Sequence, residues 1–214
     1  MYQQLRRVQV TWRVLPNERI SWEEIAQKMA AQRSICTIVN MKKHAKKLFD
    51  ALKLVCETES VFYITTELCP AHRRVVIEQV KKRLRDGLPC RVVATQCIEA
   101  GVDLDFDSVF RALAPLESII QAAGRCNRNG RHPEGGQVLV FLPDEERLYP
   151  DTWYEKATML VSALHMEKPI DLMNPSDIQR YYQKLFWKLK GKKELCEAVQ
   201  NQDYAGVEKH YRII

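Results

Sequence analysis

From Ile35 to Leu142 the chain alternates short apolar runs with amphipathic stripes, and no other pattern in it restricts the fold as strongly. Ile35-Cys-Thr-Ile-Val-Asn40, Val61-Phe-Tyr-Ile64, Arg91-Val-Val-Ala-Thr95, Ser108-Val-Phe-Arg-Ala-Leu113 and Gln137-Val-Leu-Val-Phe-Leu142 read as strands. Continuous apolar runs of this length suit strands covered on both faces. Between them, Ala45, Leu48, Phe49, Leu52 and Val55 recur at helical spacing. A second helix is expected from Pro70, a residue that suits a first turn, to about Arg85, with Gly87 as its stop. A third is expected from Leu116 to about Asn127. Strand and helix in alternation predict an α/β fold, a parallel sheet flanked by helices with right-handed connections.

The flanks read differently. Val8, Val10, Trp12 and Val14 alternate with polar residues, as in a strand with one buried face. Ser21-Trp-Glu-Glu24 has the form of a capping box. After Pro143 the pattern is helical, over Trp153–Leu164, Asp177–Leu189 and Glu194–Val199. The expected organisation is therefore a joining strand and helix over 1–34, a core over 35–143 and a short helical appendage over 144–214.

Bulk properties narrow the class. No apolar run approaches the roughly 20 residues of a membrane span, and the N-terminus lacks a signal core. A cytoplasmic setting with no membrane partner is expected. The seven cysteines are an odd number with no C-x-x-C pair, which speaks for reduced thiols and against a zinc site. The net charge of +6 is uneven: residues 1–143 carry +7 and residues 144–214 carry −1. That excess fits either a polyanion partner or a solvated basic surface.

The chemistry centres on Gln121-Ala-Ala-Gly-Arg-Cys-Asn-Arg128. On a continuous helix Gln121, Arg125 and Arg128 would share one face. Two forked, permanently charged guanidiniums there suit a phosphate chain. Gly124 suggests close packing against a ligand or a facing domain. The preceding segment, Ala94-Thr-Gln-Cys-Ile-Glu-Ala-Gly-Val-Asp103, leaves a strand at the edge where parallel sheets collect ligands. Gly101 allows close backbone approach, and Asp103 reads equally as a turn carboxylate or an acceptor for a ribose hydroxyl. Pro70-Ala-His-Arg-Arg74 opens a helix, so Arg73 and Arg74 fit a phosphate or a basic surface. Thr65 and Thr66 offer hydroxyls, and Asn40 ends a strand where it fits a turn or a phosphate contact. Trp12, Trp22, Trp153 and Trp187 are expected to pack rather than stack on bases. No G-x-x-x-x-G-K-[ST] loop, Asp-Glu magnesium pair or His-Asp nuclease cluster occurs.

These segments resemble the second RecA-like domain of superfamily 2 helicases, and within them the CRISPR-associated helicase–nuclease of type I systems. Thr37–Lys46 resembles motif IV, Tyr63–Arg73 the segment after the next strand, Ala94–Phe106 motif V, and Gln121–Gly130 motif VI. The resemblance covers about 35–142. It implies a parallel RecA-like sheet. It implies that Arg125 and Arg128 contact the γ-phosphate, with Arg128 as the finger, and that Gln121, Asp103 and Gly101 serve the nucleotide. It places Asn40, Thr65, Arg73, Thr95 and Gln96 on the nucleic-acid backbone.

The implied activity is ATP-dependent translocation on single-stranded DNA, 3′ to 5′, in degradation of DNA flagged by an RNA-guided surveillance complex. ATP with magnesium would bind only jointly with a first RecA-like domain bearing the Walker motifs. That domain and a histidine-aspartate nuclease domain would act in cis or in trans, and the chain is expected to be a fragment or one half of a split protein, inactive alone. Two alternatives are a non-catalytic nucleic-acid-binding module and half of an RNA helicase.

Overall fold

The computed structural model describes residues 7–99, 102–188, Asn201 and Asp203. Six strands form one sheet: β1 (Val8–Arg13), β2 (Ser34–Ile38), β3 (Val61–Ile64), β4 (Cys90–Ala94), β5 (Ser108–Ala112) and β6 (Gly136–Phe141). Their order is β1-β6-β5-β2-β4-β3, and every pairing is parallel. Every residue of β2 and β5 is buried, which is why both read as mainly apolar runs, Arg111 of β5 being the charged exception. The chain works outward from β2 to the β3 edge, returns through β4, then crosses to β5 on the other side of β2. Because all strands are parallel, their carboxyl ends share one edge of the sheet.

Six helices accompany the strands: α1 (Trp22–Ala30), α2 (Lys42–Val55), α3 (Pro70–Arg85), α4 (Leu116–Ala123), α5 (Thr152–Glu167) and α6 (Pro175–Lys188). Ser21 caps α1, its hydroxyl accepting the Glu24 N–H at 3.2 Å. Ile25, Met29, Ala45, Leu48 and Leu52 from α1 and α2 join Ile35, Val39, Val93, Phe110 and Phe141 of the sheet region in one cluster. Each fully buried leucine there contributes about 1.5–3 kcal/mol. Sheet residues of opposite parity, such as Cys36, Val92 and Val109, face the other side.

The chain divides into two compact units, 1–168 and 169–214. The first holds the sheet and α1–α5. In the second, Asn174 precedes α6 and its Oδ1 accepts the Ser176 N–H at 3.0 Å. The helix expected over Glu194–Val199 lies outside the described residues, as do Leu189 and the Trp187 side chain. Among the described residues no helix is long and apolar enough to cross a membrane, and six cysteines are free thiols.

The main departure from expectation is at α4. It stops at Ala123 rather than near Asn127. Gly124 is its C-cap, with φ −64, and so ends the helix rather than lying in its interior. The Arg125 and Cys126 N–H groups turn back three residues to Ala122 O and Ala123 O, tightening the last turn. Asn127 then takes a positive φ of 45, a conformation asparagine tolerates and helices do not. The chain continues as a parallel bridge between Phe106 and Cys126.

Candidate functional site: two adjoining clefts and an arginine loop

The shortened α4 separates residues that a longer helix would have aligned. Gln121 remains exposed on α4. Arg125 and Arg128 lie beyond its end and point to different places. Arg125 is 8% exposed and its Nη2 donates to the Glu99 carbonyl at 2.6 Å. Burial, then the nearby Arg128 charge, pushes its pKa down, though not enough to cost arginine its charge. The Arg128 side chain is 43% exposed and pairs with Asp103 at 3.5 Å, itself 81% exposed. One guanidinium faces inward and the other faces solvent.

The loop after Arg125 is held by groups the sequence did not single out. Asp105 accepts the Arg128 N–H at 2.8 Å, the Asn129 N–H at 3.3 Å and Asn129 Nδ2 at 2.9 Å. It also accepts Arg131 Nε at 3.2 Å and Nη2 at 2.9 Å. Burial raises the Asp105 pKa, but Arg131 and the two N–H groups outweigh it and hold the carboxyl below its ordinary range. Asn127 Nδ2 donates to the carbonyls of Arg7 and His132, both at 2.9 Å, while its Oδ1 accepts the His132 N–H at 3.0 Å. Gly136 passes so close that an added Cβ would sit 2.5 Å from Cys126 Sγ and 2.9 Å from Asn127 Cβ. Only a residue without a side chain lets β6 lie against this loop.

A second group surrounds the carboxyl edge. A cleft of about 780 Å³ is lined by Asn40, Lys42, Lys43, Thr66, Thr95, Gln96, Cys97 and Arg147, among others. Lys42 and Lys43 are exposed and open α2, which has no side-chain cap and no acidic residue in its first turn. A helix start of this kind presents positive partial charge and orphan N–H groups to an anion. Helix α3 starts in the same way, uncapped and without acid, and carries Arg73 in its first turn. Arg73 and Arg74 line a neighbouring cleft of about 580 Å³ with Thr66, Cys97 and Asp103. The two clefts share Thr66 and Cys97, so Asp103 and Arg73 border one continuous surface.

Several expected contacts turn inward instead. The Asn40 side chain is fully engaged within the fold: Nδ2 donates to Leu113 O at 2.9 Å, and Oδ1 accepts Arg111 Nη1 at 2.7 Å and the Tyr154 hydroxyl at 2.8 Å. It closes the cleft floor and has no group left for a phosphate. Thr65 is fully buried, its Oγ1 accepting the Glu67 N–H at 3.2 Å, and Thr66 is the threonine that reaches the clefts. Thr95 is 5% exposed and donates to Cys97 Sγ at 3.7 Å. Gln96 reaches the Asn40 carbonyl through Nε2 at 3.1 Å. Gly101 lies outside the described residues. Trp12 stacks on His165 and Trp22 is buried, whereas Trp153 is 43% exposed and does not pack as expected.

The far wall of the larger cleft is set by a buried anchor. Glu145 accepts Trp22 Nε1 at 2.7 Å and Lys47 Nζ at 2.5 Å, and lies 3.9 Å from His44 Nε2. Burial raises its pKa, but Lys47 and Trp22 more than reverse this. The anchor fixes the segment that delivers Arg147. Arg147 and Asp105 escaped sequence reading because nothing in their spacing marks them.

Residues 31–131 match the family described as CRISPR-associated nuclease/helicase Cas3, C-terminal. Over 83 aligned residues the chain is 51% identical to the CRISPR-associated nuclease/helicase Cas3 of Haloferax volcanii. The matched segment, just under half of the chain, is similar to the C-terminal part of Cas3. The Haloferax alignment covers 36% of this chain and 9% of that Cas3. A crystal structure of T. fusca Cas3 with ATP superposes with a TM-score of 0.64 at 18% identity, over 96% of this chain and 26% of that one. A chain of a CRISPR RNA-guided surveillance complex, in a pre-nicking state, gives 0.62 at 17% identity over 96% and 28%. Both structures share this chain's fold, and the chain spans about a quarter of their length.

Proposed function

We propose that this chain is the second motor domain of an ATP-dependent single-stranded DNA translocase acting in CRISPR interference. The observation that carries the reading is the continuity of the surface. Arg128 and Asp103 stand at one end, and the Lys42–Lys43 cleft adjoins through Thr66 and Cys97. A nucleotide held by a facing domain and a strand held by this one would then meet on a single face. T. fusca Cas3 was crystallised with ATP, and the family match supports carrying that ligand over.

The residues fit this division of labour. Arg128 is the solvent-facing guanidinium and is positioned by Asp105 to neutralise charge developing on a transferred phosphoryl group. Arg125, bonded to Glu99 O, braces the loop from behind. Asp103 would exchange its ion pair with Arg128 for a ribose hydroxyl when nucleotide enters. Gln121 and Gly101 are kept as candidate nucleotide neighbours. Among the described residues no three His, Cys, Asp or Glu groups converge to hold a metal. On this reading magnesium would be carried by the Walker-bearing domain, where it would offset phosphate charge.

On the strand side, Lys42, Lys43, Arg73, Thr66, Gln96 and Arg147 would grip the phosphodiester backbone, which carries no sequence information. Residues 144–214 would lead to an accessory domain. Alone the chain should hydrolyse ATP negligibly. In the complete protein, Arg128→Ala should lower ATP turnover by about 10³-fold or more, with oligothymidylate affinity within about twofold of wild type, since the finger acts only on the phosphoryl group. Unchanged turnover would overturn the finger. Matched DNA and RNA oligomers in competition separate a DNA motor from an RNA helicase.

A further inference from the structure

Arg111 is the largest side chain completely sealed from solvent, and it sits on β5 in the middle of the sheet. A cation there is expensive unless every donor is matched, and apolar residues of similar volume are often equally or more stable. Its surroundings match both terminal nitrogens and leave only Nε without a partner. Nη1 donates to Asn40 Oδ1 at 2.7 Å, Ala112 O at 2.9 Å and Ile38 O at 3.3 Å. Nη2 donates to the Tyr154 hydroxyl at 2.9 Å and lies 3.0 Å from Glu99 Oε1. Glu99 is itself 7% exposed.

The partners lead in two directions. Towards the arginine loop, the Glu99 carbonyl receives Arg125 Nη2. Towards the strand cleft, Asn40 lines the floor and its carbonyl receives Gln96 Nε2. An unbroken series of polar contacts therefore runs Arg125–Glu99–Arg111–Asn40–Gln96 through the interior. The floor of one site and the brace of the other share one buried ion pair.

We infer that the Glu99–Arg111 pair is a relay, making occupancy of the Lys42–Lys43 cleft by single-stranded nucleic acid set the position of the arginine loop. This rests on the cleft assignment above. Arg111 and Glu99 are positioning residues: they touch neither nucleotide nor strand. When a strand phosphate draws Gln96 Nε2 away from the Asn40 carbonyl, the Asn40–Arg111 geometry shifts, and Glu99 carries the change to Arg125. A network of contacts alone is not proof of coupling, so the test measures coupling apart from binding.

The 214-residue chain is titrated with oligothymidylate while backbone hydrogen exchange is followed. Wild type should gain protection in the cleft segments 39–43 and 96–98, and also in 124–131, the distant gain being about tenfold. Glu99→Gln keeps shape and removes charge; Arg111→Met keeps approximate volume. Both should bind the oligomer within about twofold of wild type and keep cleft protection, yet lose the gain in 124–131. Arg111→Lys, which retains charge without the fork, should restore part of it. A residue that merely filled the core would change stability and leave the distant response in place. Retention of that response in Glu99→Gln, or its absence from wild type that binds, overturns the relay and leaves the cleft standing. Failure of wild type to bind overturns the cleft, and the relay with it.

Discussion

The strand cleft and the arginine loop are built on opposite plans. In the cleft, the polar groups at the strand end are turned inward: Asn40 and Thr65 are buried and bonded, and exposed charge comes from Lys42, Lys43 and Arg147 around them. In the loop the order reverses. An inner acid, Asp105, holds the backbone so that Arg128 can stand out. The comparison teaches that a motif residue can serve a site by shaping it without contacting what binds there. Stability and binding should then fall on different side chains in the cleft, but meet near Asp105 in the loop.

The largest effect expected from this contrast is at the cleft floor. Asn40→Ala would leave Leu113 O unpaired and remove one buried acceptor from both Arg111 Nη1 and the Tyr154 hydroxyl, and should cost about 3 kcal/mol in denaturant unfolding, as the loss of several buried hydrogen bonds around a charge does. A loss below 1 kcal/mol, well under that range, would break the distinction by showing that Asn40 is free to face a ligand. Asp105→Ala comes next, at about 2 kcal/mol, reduced because Arg131 is 51% exposed. It should also speed hydrogen exchange over 127–131; exchange unchanged there would mean that the loop needs no inner acid.

The anchor behind Arg147 gives a pH-dependent version of the test. Burial pushes His44 down to about 4, against 6.5 for an unburied ring. Between those values the unfolded chain binds a proton that the folded chain excludes. Stability is therefore full above pH 6.5 and falls as pH drops towards 4. Glu145, held below the usual carboxylate range, adds a loss in the same direction as acid is added. His44→Gln should flatten the histidine's part of a plot of unfolding free energy against pH; an unaltered slope would assign it elsewhere. The smallest stability effect belongs to the exposed lysines. Lys42→Ala with Lys43→Ala should shift stability by no more than about 0.5 kcal/mol, yet weaken oligothymidylate binding and lower its salt slope by about 1.4, near 0.7 per lost contact.

The sheet was readable in advance because parallel strands buried on both faces leave apolar runs that little else imitates. The strands β2 to β6 appear where those runs lie. The end of α4 was not, because Arg125 and Arg128 continue a helical spacing from Gln121 by coincidence of position. Gly124 and Asn127 were the local signs of a stop, and both act there. Asp105 could not be recognised, since its value comes from a loop more than twenty residues away that tertiary structure brings to it. Arg111 stands out in the sequence as a charge in the middle of an apolar strand, which by itself implies a buried partner.

Gly136 has a mechanical consequence. Because Gly136 carries no side chain, β6 lies close against Cys126 and Asn127, and the root of the loop is tied to the sheet. Rotation of the whole lobe is then carried to the loop, while the exposed Arg128 tip keeps room for the smaller adjustment that the relay imposes.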